Sequence, residues 1–460
     1  MPPKFGTSGL RGLVTELTVQ CVNDHIAAFI ASCNVGTGLY LGHDLRDSSP
    51  DIAGMVATAA RQQGVAVIKC GAVPTPALAL AAMSAGAGAV MVTGSHIPAD
   101  RNGLKFYTPD GEITKADESA ILADLGAEST AVDGPAVVAN DTVADAYTNR
   151  YLTAFGAALD GMKIGLYAHS AVGRDMMAGL LTRLGAEVSV LGSSDVFIPV
   201  DTEAVAPDVR QQLKSWASSA EFDAIVSTDA DGDRPLVTDA RGQIVPGDVL
   251  GQIAAAMLKA EVVVTPISSN TGVEAGVKFE KVIRTKIGSP YVIAEMAKTT
   301  SRIVGYEANG GFLLGYDAMG PSGSLPKLIT RDALLPMLCC LSAARGKGVS
   351  AVVSQEAPRF TAADRLQDIP TERSAALVEA LANDAEKRAD FLKQLSGSES
   401  DHSTLDGLRM TLNDGRIVHL RPSGNAPELR LYVEAETIAR AAKTLDDGLA
   451  LLRTATADVL

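Results

Sequence analysis

The strongest constraint in this sequence is a local pattern that occurs three times. A run of β-branched and other apolar residues ends in a polar tip, an amphipathic stretch at helical spacing follows, and a second β-rich run closes the unit. The first copy, TGLYLGHDLRDSSPDIAGMVATAARQQGVAVIKCG, starts at Thr37; its strand ends in the polar tip Asp44 to Asp47 and its helix stops at Gly64. The second, GMKIGLYAHSAVGRDMMAGLLTRLGAEVSVLG, starts at Gly161 and stops its helix at Gly185. A looser third copy, AEVVVTPISSNTGVEAGVKFEKVIRTKIG, starts at Ala260. Strand–helix–strand units imply parallel pairing, because the crossover returns the chain to the same end of the sheet. Ligands of such sheets gather at the carboxyl ends of the strands.

The copies start about a domain's length apart, which predicts tandem α/β domains and neither a short-period solenoid nor one very large doubly wound sheet. A length of 460 residues agrees, being too great for a single ordinary core. After about Ala351 the pattern changes. TERSAALVEALANDAEKRADFLKQLS reads as helix, and MTLNDGRIVHLRPSGNAPELRLYVEAE as two strands around a tight turn. The expected architecture is three tandem α/β domains with mainly parallel mixed sheets, at 1–140, 141–242 and 243–352, and a smaller C-terminal α+β domain at 353–460.

Composition narrows the function classes. Apolar residues make up 47% of the chain, enough for packed cores. A net charge of −14, with no Lys/Arg block, argues against nucleic acid as a partner. A few cations gathered at one place still suffice for a small phosphorylated ligand. The five cysteines show no metal-knuckle spacing, which fits reduced thiols in the cytoplasm. No secretory signal is visible at the start, and the longest apolar stretch, Ala77 to Val92, reads as a buried helix and strand and not as a membrane span.

Five polar, glycine-marked loops carry the candidate chemistry. In AGAVMVTGSHIPADRNGLKFY an apolar strand ends at Thr93, and Gly94 frees the backbone so that Ser95 stands exposed at the tip. His96 follows, and Asn102-Gly103 reads as a turn that returns Lys105 to the same point. A hydroxyl beside an imidazole and an ammonium suits a nucleophile or phosphoryl carrier; the plainer reading is a Ser-His turn that caps a helix. In DAIVSTDADGDRPLVTD, Asp229, Asp231 and Asp233 alternate after a strand and direct hard oxygen ligands to one place, as Mg²⁺ or Ca²⁺ requires, with Mg²⁺ favoured in a reaction that moves phosphate; otherwise they form a solvated acidic turn.

HLRPSGNAPELRLYVEA offers Arg421, Ser423, Gly424, Asn425 and Arg430 as a cradle for a phosphate dianion, against a surface turn with incidental arginines. In IVGYEANGGFLLGYD, Glu307 and Asn309 leave a strand with glycines behind them; they suit paired sugar hydroxyls, and equally a structural Asn-Gly turn. KFGTSGLRG at the N-terminus supplies Arg11 amid glycines, or merely a flexible end.

These loops, in this order over nearly the whole chain, resemble the α-D-phosphohexomutase family: FGTSGxRG, a TxSHxPxxxNGxK phosphoserine loop, DxDxDR, a Glu-containing sugar loop and RPSGxxPxxR. The resemblance implies three α/β domains and a smaller fourth around one cleft, and Ser95 as phosphoserine. It implies Mg²⁺ on Asp229, Asp231, Asp233 and the Ser95 phosphate. Arg11, His96, Lys105 and Arg234 match positions lining the family's reaction centre, and Lys286 and Gly288 of TKIGSP match a substrate-facing loop. Glu307 and Asn309 fall on the sugar loop, and Arg421, Ser423, Gly424, Asn425 and Arg430 on the clamp for the phosphate that does not react.

Three positions depart from the family pattern: Ile97 stands where SHNP has Asn, Asn425-Ala426 where SGTEP has Thr-Glu, and Asn309 where the sugar loop has Ser. The implied reaction interconverts a hexose 6-phosphate and its 1-phosphate through a hexose 1,6-bisphosphate, with Lys105 or His96 taking the proton. Mannose is the preferred sugar, with glucose and glucosamine as alternatives. A monomer or homodimer acting on a small sugar phosphate is expected. The rivals are a phosphatase using Asp229 as nucleophile and a sugar-phosphate binder that has lost catalysis.

Overall fold

The computed structural model describes residues 2–6, 8–127, 134–276, 278–423 and 427–457. By compactness the chain divides into two units. One comprises Met1–Val264, Phe279–Ile283 and Gly288–Gln355; the other comprises Thr265–Lys278, Arg284–Ile287 and Glu356–Leu460.

In the first unit the N-terminal sheet has a parallel part made of Val138–Ala139, Val67–Ala72, Leu39–His43 and Gly88–Val92. Antiparallel strands Arg101–Thr108, Leu10–Leu13 and Lys4–Phe5 extend it on the Gly88–Val92 side. Every residue of Gly88–Val92 is buried, as expected of a strand covered on both faces. Helices Val19–Ser32 and Ser49–Gln62 put Val22, Ile26, Phe29, Ile52 and Val56 into one core with Leu39, Leu41 and Phe106. Removing such side chains from water supplies roughly 1.5–3 kcal/mol each. The stretch Ala77 to Val92 lies, as expected, in a buried helix, Thr75–Ser84, and the strand Gly88–Val92.

The next sheet orders its strands Glu187–Ser193, Lys163–His169, Ala224–Thr228 and Pro235–Val237, parallel except for the last pair. The third runs Lys281–Thr285, Val262–Pro266, Ile303–Tyr306, Phe312–Leu314, Leu328–Asp332. It is parallel at Val262–Pro266 with Ile303–Tyr306, and antiparallel beyond. All three sheets are therefore mixed. The helices of the first two sequence copies, Ser49–Gln62 and Arg174–Arg183, end beside Gly64 and Gly185 as read. The third copy has only the single turn Gly272–Ala275. Its SSNTG tip makes local bonds instead, with Thr265 donating to Ser269 and Asn270 accepting from the Gly272 amide, and such bonds compete with a helix.

The second unit holds an antiparallel sheet ordered Phe360–Leu366, Leu429–Ala435, Ile417–Pro422, Leu408–Leu412, Glu399–Ser403. Two sequence expectations are corrected here. The stretch read as one helix is two, Thr371–Asn383 and Ala385–Gln394, because Asp384 turns its carboxylate onto the amides of Glu386 and Lys387 and starts a second helix. The segment read as two strands forms three, since Asn413 to Gly415 already turns the chain between Leu408–Leu412 and Ile417–Pro422. Among the described residues no helix is long and apolar enough to cross a membrane, and the five cysteines are free.

Candidate functional site

Ser95 follows the fully buried strand Gly88–Val92 and adopts φ 53°, a left-handed backbone uncommon for a residue with a Cβ. Contrary to the expectation of an exposed tip, its side chain is fully buried. Its Oγ donates to Asp229 Oδ2 at 2.5 Å and lies 3.3 Å from His96 Nδ1. Arg46 holds the loop. Its guanidinium donates to the carbonyls of Ser95 (2.9 Å), Ile97 (2.7 Å), Pro98 (2.8 Å) and Arg101 (3.1 Å). Asp44, buried beside it, pairs with Arg46 Nε at 3.2 Å and accepts from Ser49 and Thr93. Gly94 is glycine for a reason other than the one read: a Cβ there would lie 2.7 Å from Arg46 Cζ.

Asn102-Gly103 is not a turn. Both lie in the strand Arg101–Thr108, whose register with Gly88–Val92 sets Lys105 opposite Met91. Lys105 Nζ reaches Asp231 Oδ2 (2.6 Å) and Asp233 Oδ2 (2.5 Å). Arg11 also sits in a strand, opposite Gly103, and not on a loose terminus. Burial, then the guanidiniums of Arg234 and Arg331, bring its pKa down to about 10, still protonated at neutral pH.

The three aspartates are fully buried, and one oxygen from each lies within 4.8 Å of the others. The loop that carries them is clamped through its backbone, as the amides of Thr75 and Val172 donate to the carbonyls of Asp231 and Ala230. Asp231 Oδ1 and Asp233 Oδ1 are buried without a hydrogen bond. Burial, and next the charges of Asp231 and Asp233, push Asp229 well above the usual carboxylate range. Burial acts the same way on Asp233, but Arg331, Lys105 and Arg234 outweigh it and hold that group below its ordinary value. Crowded hard oxygens with unused lone pairs fit a small divalent cation such as Mg²⁺.

His96 Nδ1 lies 2.8 Å from Arg234 Nη1. A guanidinium only donates, so Nδ1 carries the lone pair and Nε2 the hydrogen. Burial, then Arg234 and Arg11, depress the imidazole pKa and keep it neutral. Glu307 and Asn309 lie on the tight loop after Ile303–Tyr306, where the Gly310 amide donates to the Glu307 carbonyl. Asn309 Oδ1 is taken by the Gly311 amide at 2.9 Å, so the turn reading describes that oxygen. Glu307 faces Arg331 across 3.5 Å. Gly288, at φ 130°, precedes the helix Ser289–Met296.

In the second unit, Arg421 and Arg430 stand directly opposite each other on antiparallel strands, and Arg430 is also opposite Arg365. Like charges so placed repel, which suits a site for a dianion. Asp406 accepts from Arg421 Nε at 2.9 Å and from the Ile287 amide at 2.9 Å. That joins the arginine to the loop carrying Lys286, whose own side chain is exposed. Ser423 is buried, its amide donating to the Glu428 carbonyl. Gly424 and Asn425 lie outside the described residues.

The structure thus gathers Ser95, His96, Lys105, Arg11, Arg234, the three aspartates and Glu307 in the first unit, and Arg421, Ser423, Arg430 and Lys286 in the second. Sequence reading missed Arg46, Thr75, Glu112, Arg331 and Asp406. For Arg46 a signal existed in the polar tip Asp44 to Asp47, and for Arg331 in the Arg-Asp that ends the strand Leu328–Asp332.

Family models match in three places: phosphoglucomutase/phosphomannomutase alpha/beta/alpha domain I over residues 2–131, domain III over 246–360, and the C-terminal domain over 369–451. A phosphomannomutase of Sinorhizobium fredii is 45% identical over 98% of this chain and 99% of its own length. One of Salmonella muenchen is 44% identical over 94% and 92%. A crystal structure of a phosphoglucomutase/phosphomannomutase family protein from Burkholderia thailandensis has the same fold, with a TM-score of 0.79, 22% identity, and coverage of 98% of this chain and 97% of that one.

Proposed function

As the chain belongs to the phosphoglucomutase/phosphomannomutase family, we propose that it interconverts mannose 6-phosphate and mannose 1-phosphate, with Ser95 as the phosphoryl carrier. The observation that carries this reading is the Ser95 hydroxyl hydrogen-bonded to Asp229 within a buried set of three carboxylates. The two phosphomannomutase relatives at 45% and 44% identity support mannose over glucose and glucosamine. The four larger sheets support four domains with boundaries near residues 140, 242 and 352.

In this mechanism phosphoserine 95 gives its phosphoryl group to the free sugar hydroxyl, breaking the Oγ–P bond and forming the hexose 1,6-bisphosphate. The other phosphoryl group then returns to Ser95 Oγ. Such transfers depend on in-line positioning and charge neutralisation. Arg46 fixes the carrier loop, and Arg11, Lys105 and Arg234 supply positive charge against the phosphoryl oxygens. Either His96 or Lys105 takes the proton from the attacking hydroxyl: His96 Nδ1 lies 3.3 Å from Ser95 Oγ but already accepts from Arg234, and Lys105 Nζ is engaged by two carboxylates. Mg²⁺ bound by Asp229, Asp231, Asp233 and the serine phosphate would neutralise charge on the phosphoryl group. Glu307 accepts from sugar hydroxyls, and Arg421, Ser423 and Arg430, with Gly424 and Asn425, serve the phosphate that does not react.

The test is intact mass with site mapping, before and after incubation with a hexose 1,6-bisphosphate, beside kcat/KM for mannose, glucose and glucosamine 1-phosphates. Acid-stable phosphate on Ser95 and fastest turnover of mannose 1-phosphate are expected. Label on an aspartate would favour the phosphatase reading, and affinity without turnover the binder.

A further inference from the structure

The two bulkiest fully buried side chains among the described residues are arginines, Arg46 and Arg331. Arg46 is explained by the loop it holds. Arg331 belongs to none of the motifs read from the sequence, yet it faces three buried carboxylates, Asp233, Glu112 and Glu307. It lies in the strand Leu328–Asp332, one residue before Asp332. Asp332 is bonded to Tyr147 and Tyr151, and strand alternation sends Arg331 to the other face. There its Nη2 pairs with Asp233 Oδ2 at 2.9 Å and Glu112 Oε1 at 3.8 Å, and donates to Ser8 Oγ at 3.0 Å. Its Nη1 faces Glu307 Oε2 at 3.5 Å. A single guanidinium therefore connects the aspartate loop to the loop bearing Glu307.

We propose that Arg331 is a positioning residue for sugar recognition, holding Glu307 at a fixed distance from Asp233, and that Gly311 is glycine so that Arg331 can lie there. This rests on the mutase reading. Two observations carry it besides the contacts. Glu307 Oε2 is buried without a hydrogen bond, so Arg331 restrains this carboxylate by charge and uses up none of its hydrogen-bonding capacity. A Cβ on Gly311 would meet Cγ and Cδ of Arg331 at 3.0 Å and its Cβ at 3.2 Å. Gly311 is not among the residues with left-handed backbone, so alanine is opposed there by Arg331 and not by conformation.

Lysine in place of Arg331 keeps the charge but cannot face Asp233 and Glu307 with two arms of one rigid fork. Steady-state kinetics of wild type, Arg331→Lys, Gly311→Ala and the double variant test the proposal, each with its melting temperature. With wild type turning over hexose 1-phosphate, each single variant should raise KM about tenfold with kcat within about threefold, as for lost uniform binding. Melting temperatures should stay within a few degrees, and the double variant should be no worse than the weaker single one, because both changes displace the same group. An unchanged KM in Arg331→Lys, or losses that multiply in the double variant, overturns the inference while leaving the mutase reading standing. A wild-type protein inert toward every hexose phosphate overturns both.

Discussion

Arg46 Nη2 lies 2.9 Å from the carbonyl oxygen of Ser95, and the same guanidinium has Gly94 against it. The left-handed turn at Ser95 is thereby tied to a buried ion pair one strand away. Gly94→Ala would put a methyl group 2.7 Å from Arg46 Cζ, and neither side can yield without moving Ser95 Oγ. In-line transfer tolerates little displacement, so kcat should fall on the order of 100-fold. Rapid-quench transfer from phosphoserine measures it; a rate within twofold of wild type would show that the loop does not need this support.

Asp231 accepts from Lys105 and Thr75 through one oxygen and leaves the other without a hydrogen bond. Asp231→Asn preserves shape and removes one negative charge from the donor set. Direct binding of Mn²⁺ to the unphosphorylated protein should weaken at least about tenfold, because hard-cation affinity follows ligand charge. Equal affinities would place the cation elsewhere.

The fold was legible where one residue type has one meaning. Gly64, Gly185 and the apolar runs before Asp44, Asp229 and Glu307 marked strands, helices and loops, because periodicity and helix stops are local properties. The order of five such loops, and the family it resembles, put Ser95, Lys105 and the aspartates in one chemistry, where each loop alone had a plainer reading. Local reading failed for Asn102-Gly103, a favoured turn pair that tertiary pairing absorbed into a strand. It could not identify Arg46, Arg331 or Asp406. The partners that give the arginines their roles lie far along the chain, Arg46 from Ser95 and Arg101 and Arg331 from Ser8 and Asp233, and the short-range pairing of Arg46 with Asp44 does not tell which carbonyls will face it.

Asp406 offers a test in the second unit. Its carboxylate accepts from Arg421 and from the Ile287 amide, so Asp406→Ala frees the arginine and loosens the loop carrying Lys286 together. If Arg421 serves the unreacting phosphate, KM should rise roughly tenfold with a smaller effect on kcat, as expected for lost ground-state binding. A kcat loss at constant KM would instead give Asp406 a part in the chemical step.

Two buried histidines set an acid limit on stability. His419 lies 2.6 Å from the Asp406 carbonyl through Nε2, and His169 lies 2.8 Å from the Thr228 carbonyl. Each Nε2 donates, leaving a buried Nδ1 without a hydrogen bond. Burial lowers both pKa values to about 4, against the opposing pull of the carbonyls. The unfolded chain takes up these protons near pH 6.5 while the folded chain does not, so stability is complete above about 6.5 and declines as pH falls toward 4. Over that whole window each imidazole contributes a loss of about 3 kcal/mol at most. His419→Gln keeps a donor for the Asp406 carbonyl and removes the titration. Its unfolding midpoint should therefore fall less than that of wild type between pH 7.5 and 5, and the wild-type His419 ring resonances should not shift over that range. Parallel declines in the two proteins, or a resonance titrating near 6.5, would mean the imidazole is open to water.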